Sequence, residues 1–115
     1  MNKIYFLSLL FVAMHFNAMA QSTIEIGPSQ SMSITGKGAG QDAAINPYSK
    51  ENSIGIIENV GKNSFVIRIQ KMGTVIKMIT IKPKETKEVN LLIGYELYLD
   101  SELTSKAKVS FKQRS

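Results

Sequence analysis

The chain has 115 residues, a formal net charge of +5 at pH 7, no cysteine, no tryptophan and a single histidine, His15. This length corresponds to one domain rather than two. Without cysteine, and with its only histidine near the N-terminus, the chain lacks a thiolate nucleophile and the common zinc and copper ligand sets. We therefore expect neither a metal nor another cofactor.

The N-terminus has the three parts of an export signal. Lys3 supplies positive charge, residues 4–14 are apolar, and Ala18-Met19-Ala20 provides a small-residue cleavage pattern. We predict cleavage after Ala20, which makes residues 1–20 a signal peptide and residues 21–115 a single domain. The predicted location is the periplasm or the medium.

A membrane span is not expected from this segment. A helix that crosses the hydrocarbon needs roughly 20 apolar residues, and His15 and Asn17 interrupt the apolar run. The alternative to a signal is a buried N-terminal element, but eleven almost wholly apolar residues would be hard to cover in so small a domain.

The remainder is rich in isoleucine and valine, which favour strands. Short apolar runs alternate with turn residues at spacings typical of an all-β sandwich or barrel. The predicted strands are Thr23 to Ile26, Ser31 to Thr35, Ser53 to Glu58, Ser64 to Lys71, Thr74 to Ile81, Lys87 to Leu92, Tyr95 to Leu99 and Lys106 to Lys112. We predict a small antiparallel β-sandwich of seven or eight strands, with a small β-barrel as the alternative.

Turn residues separate these strands. Residues 59–63 predict a hairpin-type connection, Met72-Gly73 a tight reversal, and Pro83 the end of a strand. Ile93-Gly94 reads as a turn, although the glycine is also compatible with a bulge inside one longer strand.

Period-2 alternation predicts which side chains face inward. Phe65, Ile67, Leu97 and Val109 lie on apolar rows that alternate with mostly polar residues. From Val75 to Ile81 both faces are largely apolar, so no inward row is assigned there, and we expect this strand to be central in its sheet.

Residues 36–52 form a long segment with three glycines in five positions. Loops of this length are generally either functional or disordered. A mobile surface loop is one interpretation, and replacement of residues 38–44 by a flexible linker would then barely change stability. The other is a partner-binding loop with Asp42, Asn46 and Tyr48 as its informative side chains.

Positive charge is concentrated between Lys62 and Lys87. Arg68, Lys82, Lys84 and Lys87 could form a basic face for an anionic polymer. The alternative is a solvated surface whose lysines discourage edge pairing. Nucleic acid is disfavoured, because binding single strands requires exposed aromatic side chains among the charges, and few are present.

The catalytic inventory is poor. A hydrolase with paired carboxylates is formally conceivable, but no spacing marks a pair among Asp42, Glu51, Glu58, Glu96, Asp100 and Glu102. The adjacent Ser105 and Lys106 would point to opposite faces of a strand, which excludes a dyad. We expect no enzymatic activity.

A resemblance adds to this interpretation. The run Glu58 to Ser64, the strand Phe65 to Ile69, Gly73, the turn Ile81 to Thr86, and Val89 resemble the bacterial immunoglobulin-like modules of secreted and surface proteins. About a third of the chain is covered, and Lys84 stands where those modules usually have glycine. The resemblance implies a sandwich used for adhesion, presentation or binding, and it transfers no site residues.

The sequence thus predicts a small exported, non-catalytic β-sandwich that acts as an interaction module. Its expected partner is a protein or a polysaccharide. The alternative function is a small barrel that binds an anionic oligosaccharide or oligonucleotide through its basic face.

Overall fold

The computed structural model describes residues 21–38, 40–48 and 50–114, and within these ranges the regular structure is entirely β. The predicted signal peptide lies outside the described residues. The eight strands are β1 (Gln21–Ile26), β2 (Gln30–Thr35), β3 (Ser53–Asn59), β4 (Phe65–Lys71), β5 (Thr74–Ile81), β6 (Thr86–Leu91), β7 (Tyr95–Ser101) and β8 (Ser105–Gln113). Both ends of each strand lie within two residues of the ends predicted from the sequence.

The strands form two antiparallel sheets of four, in the orders β1-β8-β3-β6 and β2-β7-β4-β5. We call them sheet I and sheet II. The first four strands pair in reverse order with the last four, as in one long hairpin that turns between β4 and β5. These pairs are β1 with β8, β2 with β7, β3 with β6 and β4 with β5. The additional pairs β3 with β8 and β4 with β7 roll that hairpin into two layers. This connectivity is that of a jelly roll.

The predicted antiparallel sandwich is confirmed. The barrel alternative does not apply, because the strands form two separate sheets. The immunoglobulin-like connectivity requires correction. In that fold the first two strands are neighbours in one sheet, whereas β1 and β2 lie in opposite sheets here. Local strand and turn patterns are common to both folds, because the order of strands depends on pairing between residues far apart in the chain.

The core lies between the sheets and consists of the inward rows of the strands. Phe65, Ile67, Leu97 and Val109 are at most 2% exposed, as their alternation predicts. The other buried apolar residues are Ile24, Ile26, Ile34, Ala44, Ile57, Ile69, Ile81, Val89, Leu91, Leu99, Ala107 and Phe111. A large part of the stability comes from removing these side chains from water.

The prediction that β5 is a central strand is wrong. β5 is an edge strand of sheet II, paired on one side with β4, and only Ile81 in it is buried. Apolar side chains on both faces are typical of buried strands. Here the apolar side chains Val75, Ile76 and Met78 are exposed to solvent instead. Among the described strands, none pairs with β5 on the side away from β4.

The turns agree with the sequence in three of four cases. β5 ends two residues before Pro83, as predicted. Met72 and Gly73, with φ of 49° and 81°, close the β4–β5 hairpin as a tight reversal with two left-handed residues. Gly94, with φ of 87°, lies in a turn between β6 and β7, so the bulge alternative does not apply. The prediction of a hairpin at residues 59–63 is wrong, because β3 and β4 lie in different sheets and this segment crosses between them.

Asn59, which is fully buried, ties the two sheets together at that crossing. Its Nδ2 donates to the carbonyl oxygens of Asn63 (2.9 Å) and Ile81 (3.0 Å). Its Oδ1 accepts a hydrogen bond from the Gly61 backbone N–H at 2.9 Å. A Cβ at Gly61 would lie 2.7 Å from the Lys106 nitrogen, so the turn requires glycine there.

Candidate functional site

The segment between β2 and β3 is held in place by Asp42. Its Oδ1 accepts hydrogen bonds from the Ser33 hydroxyl (2.8 Å) and the Lys37 backbone N–H (3.1 Å), and its Oδ2 accepts one from Gly38 (3.3 Å). The Ala43 backbone N–H donates to the Ser33 carbonyl at 2.7 Å. The carboxylate therefore organises the turn that brings the segment back onto β2.

The other two residues proposed from this segment also make structural contacts. Asn46 is buried, donates through Nδ2 to the Ser53 hydroxyl (3.0 Å) and accepts from the Tyr48 backbone N–H (2.9 Å). The Tyr48 side chain packs against the core. A partner-binding role for Asp42, Asn46 and Tyr48 stays a prediction, and the contacts show that each contributes to the fold.

Arg68 lies at the centre of a polar network on the outer face of sheet II. Its Nε and Nη2 donate to the two carboxylate oxygens of Asp100 at 2.7 and 3.0 Å. Its guanidinium carbon lies 4.4 Å from the centre of the Tyr98 ring, which is cation–π geometry. The Ser31 hydroxyl also donates to Asp100, and the Tyr98 hydroxyl donates to Glu96 at 3.1 Å.

The network shifts the titration of its members. The hydrogen bonds from Arg68 lower the pKa of Asp100 despite an opposing effect of burial, and the same contact raises the pKa of Arg68. Burial raises the pKa of Tyr98, and its hydrogen bond to Glu96 acts in the same direction. Asp100 is thus held as a paired carboxylate, which is the opposite of what a general acid requires.

The predicted basic face is divided. Lys82 and Lys84 lie together in the β5–β6 connection, whereas Lys87 lies on β6, in the other sheet. Arg68 is three residues along β4 from Phe65, the partner of Ile81, which corresponds to about 10 Å. Arg68 is also paired with Asp100. Binding of an anionic polymer by these residues stays a prediction.

The largest accessible apolar feature on a strand is the free edge of β5. Val75 is 47% exposed, Ile76 46% and Met78 59%. Met72, in the hairpin turn that leads into β5, is 91% exposed. We call Val75, Ile76 and Met78, with the backbone of β5 on the side away from β4, the β5 edge.

The other three edge strands expose polar side chains. The exposed residues of β1, β2 and β6 are Gln21, Thr23, Glu25, Gln30, Ser31, Thr86, Glu88 and Asn90. Those strands have six residues each, whereas β5 has eight. Short, polar edges protect a sheet from pairing with other chains. β5 is longer and more apolar than these strands, and Lys77 is the one charged side chain within it.

A cleft of about 630 Å³ adjoins the β5 edge on the outer face of sheet II. Met78 and Thr80 of β5, Val66 of β4 and Leu103 of the β7–β8 turn contribute to its wall. Leu103 is 60% exposed. The edge and the cleft together offer a backbone to pair with and apolar surface beside it.

Sequence reasoning missed the β5 edge, because apolar residues on both faces of a strand favour a central position in the sheet. A signal was present in the residues that surround it: Lys71, Lys77 and Lys82 occur within and beside the strand. A strand buried between two others rarely carries a lysine at its centre.

Within the described part of the chain, no group of three or more histidine, cysteine, aspartate or glutamate side chains is placed to hold a metal ion. No helix among those residues is long and apolar enough to span a membrane.

No protein-family model matches the chain, and no curated protein matches it. Among solved structures, the chain is similar to the crystal structure of PirA, with a TM-score of 0.61 and 14% identity over 84% of this chain and 96% of that one. A more distant similarity, with a TM-score of 0.47 and 12% identity, is to a protein of the disulfide-linked pili of Bacillus endospore appendages, covering 85% of this chain and 90% of that one. At this identity, the similarity to PirA shows a shared β-sandwich fold.

Proposed function

We propose that the protein is an exported, non-catalytic interaction module that binds an extended segment of a partner protein along the β5 edge. The observation that carries this proposal is an eight-residue edge strand with Val75, Ile76 and Met78 accessible to solvent. An added strand would pair with the unused backbone groups of β5 and cover these side chains, which is the mechanism of β-strand addition.

Three of the nine acidic side chains support the non-catalytic part of the proposal. Asp42 holds the β2–β3 segment, Asp100 is paired with Arg68, and Glu85 accepts a hydrogen bond from the Lys82 backbone N–H at 2.8 Å. Each of these carboxylates has a structural contact that explains its presence.

Export is supported by the charge and apolar pattern of residues 1–20. The intact mass of the protein isolated from its natural source should correspond to a chain that begins at Gln21. Retention of residues 1–20 in the mature protein would contradict export by this signal.

Binding at the β5 edge is tested with a displayed library of random peptides long enough to cover the strand. The purified protein should enrich peptides that bind as extended chains. Met78→Lys should abolish their binding, because it places a charge where the added strand would cover apolar surface. Ile93→Lys is the matched control, since Ile93 is 58% exposed in the β6–β7 turn and belongs neither to β5 nor to the lining of the cleft.

Peptides that lose binding with Met78→Lys and keep it with Ile93→Lys would support the proposal. Circular dichroism and thermal melting of both variants establish that each is folded. No enrichment of any peptide, or enriched peptides that bind the Met78→Lys variant as well as the unmodified protein, would overturn it.

A further inference from the structure

We infer that the segment bound at the β5 edge is acidic, with negatively charged side chains alternating with apolar ones. This inference rests on the proposed function, which it extends to the chemistry of the partner. It is carried by the positive charges around the edge and by the arrangement of side chains along β5.

Lysines surround the β5 edge. Lys77 lies in the middle of the strand, Lys71 ends the preceding strand, and Lys82 and Lys84 follow β5 in the connection to β6. All four are exposed. Across the described ranges, the ion pairs are Arg68 with Asp100 and Lys112 with Glu88, so these four lysines have no acidic partner there.

The nearby acidic side chains are used elsewhere. Glu85 bonds to the backbone of its own turn, and Glu88 points to Lys112 on sheet I at 2.9 Å. The β5 edge therefore combines apolar side chains with uncompensated positive charge. A negatively charged chain complements both features.

A second copy of the protein, paired about either central residue of β5, would bring two lysines together. Two identical antiparallel strands related by a twofold axis place one residue opposite its own copy. An axis at Lys77 opposes two ammonium groups. An axis at Met78 makes the two copies of Lys77 diagonal neighbours, about 7–8 Å apart on one side of the sheet.

The alternation of β5 from Lys77 to Ile81 predicts the pattern of the bound segment. Met78 lies opposite Arg68 on the outer face of sheet II, whereas Lys77 lies opposite the buried Ile69, on the inward-facing side. Directly opposite residues of paired strands project to the same side. An added strand would thus present apolar side chains beside Met78 and acidic side chains beside Lys77, one residue apart.

The test uses three synthetic peptides of about ten residues, enough to cover the strand at about 3.4 Å per residue. They alternate valine with glutamate, with glutamine or with lysine. Affinities are measured by fluorescence anisotropy at about 50 mM and about 500 mM salt. The glutamate peptide should bind about tenfold more tightly than the glutamine peptide at low salt, because several exposed charge pairs each contribute a few-fold. High salt should reduce that ratio towards one.

A charge reversal on the protein provides the second arm. Lys77→Glu should weaken binding of the glutamate peptide about tenfold and strengthen binding of the lysine peptide. Lys108→Glu is the matched control, since it makes the same change in net charge on the outer face of sheet I. It should leave the order of the three peptides unchanged.

The outcomes separate the two proposals. If the glutamine peptide binds at β5 as tightly as the glutamate peptide, the acidic partner is overturned and the edge remains a binding site. If none of the peptides binds and no library peptide depends on Met78, the proposed function itself is overturned.

Two other occupants would also contradict an acidic partner. A concentration-dependent dimer that Met78→Lys dissociates, seen by analytical ultracentrifugation, would assign the edge to a second copy. Slow amide exchange in β5 of the full chain, lost in a chain that begins at Gln21, would assign it to residues 1–20.

Discussion

Arg68 and Asp100 are joined by two hydrogen bonds across adjacent strands, of 2.7 Å from Nε and 3.0 Å from Nη2. They are not direct cross-strand partners: Arg68 lies opposite Tyr98, and Asp100 lies opposite Val66. The guanidinium therefore reaches diagonally along β7 while it covers the Tyr98 ring. This arrangement connects β4 and β7 on the face that adjoins the β5 edge.

The pairing predicts how stability depends on pH. Because the pKa of Asp100 is lowered in the folded protein, its stabilisation is present above the unfolded carboxyl pKa of about 3.9 and is lost as the pH falls through the lower folded pKa. The stability difference between the unmodified protein and Asp100→Asn should be constant above about pH 5 and shrink below about pH 4. Urea unfolding from neutral to acid pH measures it.

Glu102→Gln is the control for that series, because Glu102 is exposed in the adjoining β7–β8 turn. Its difference from the unmodified protein should be small throughout. A difference for Asp100→Asn that does not shrink in acid would contradict the pairing.

Asn59→Ala should destabilise the protein by about 2 to 4 kcal/mol, because two carbonyl oxygens and one N–H lose their partner in a buried position. Asn90→Ala, at an exposed position of β6, should change the free energy of unfolding by less than about 0.5 kcal/mol. Denaturant titration compares the two. Equal effects would show that Asn59 does not tie the sheets together.

Lys84→Gly should stabilise the protein by up to about 1 kcal/mol. Lys84 has φ of 72°, in the left-handed region where a side chain is unfavourable and glycine is not. Lys82→Gly in the same connection has no such strain to relieve, since Lys82 is outside the set of positive-φ residues, and should destabilise by about 0.5 to 1 kcal/mol. Thermal melting of both variants tests the sign. A lower melting temperature for Lys84→Gly would contradict the prediction.

Replacement of residues 38–44 by a flexible linker should cost about 2 kcal/mol or more. This revises the expectation from the glycine-rich sequence, because Asp42 anchors the turn, Ala43 bonds to β2, and Ala44 is only 4% exposed. Ile45→Ser is the control, since Ile45 is 63% exposed. Equal stability of the linker variant and the unmodified protein, measured by denaturant unfolding, would restore the interpretation as a mobile loop.

Alternation was sufficient to locate the strands and their inward rows. Residues such as Ile69, Ala107 and Val109 alternate with polar neighbours, and one-sided burial of a strand produces that pattern directly. The jelly-roll order was not accessible in this way. Pairing of β1 with β8 joins Gln21 to Ser110, and nothing in either strand alone specifies its partner.

The candidate site was harder to predict for a physical reason. Val75, Ile76 and Met78 have the same apolar character whether a strand is covered by its own chain or left for another, so composition does not separate the two cases. Polar residues in the β2–β3 segment were equally ambiguous. Asp42 and Asn46 proved to bond to the backbone of their own segment and to serine side chains of the flanking strands, as such residues often do in turns.

Amide-resolved hydrogen exchange of β5, with and without a peptide selected by the protein, tests the central claim most directly. Strand addition should slow exchange at the β5 amides that face away from β4, and leave those of the edge strand β1 unchanged. Met78→Lys should remove the effect, and Ile93→Lys should retain it. Protection confined to β1 or to residues 36–52, with β5 unchanged, would contradict binding at the β5 edge.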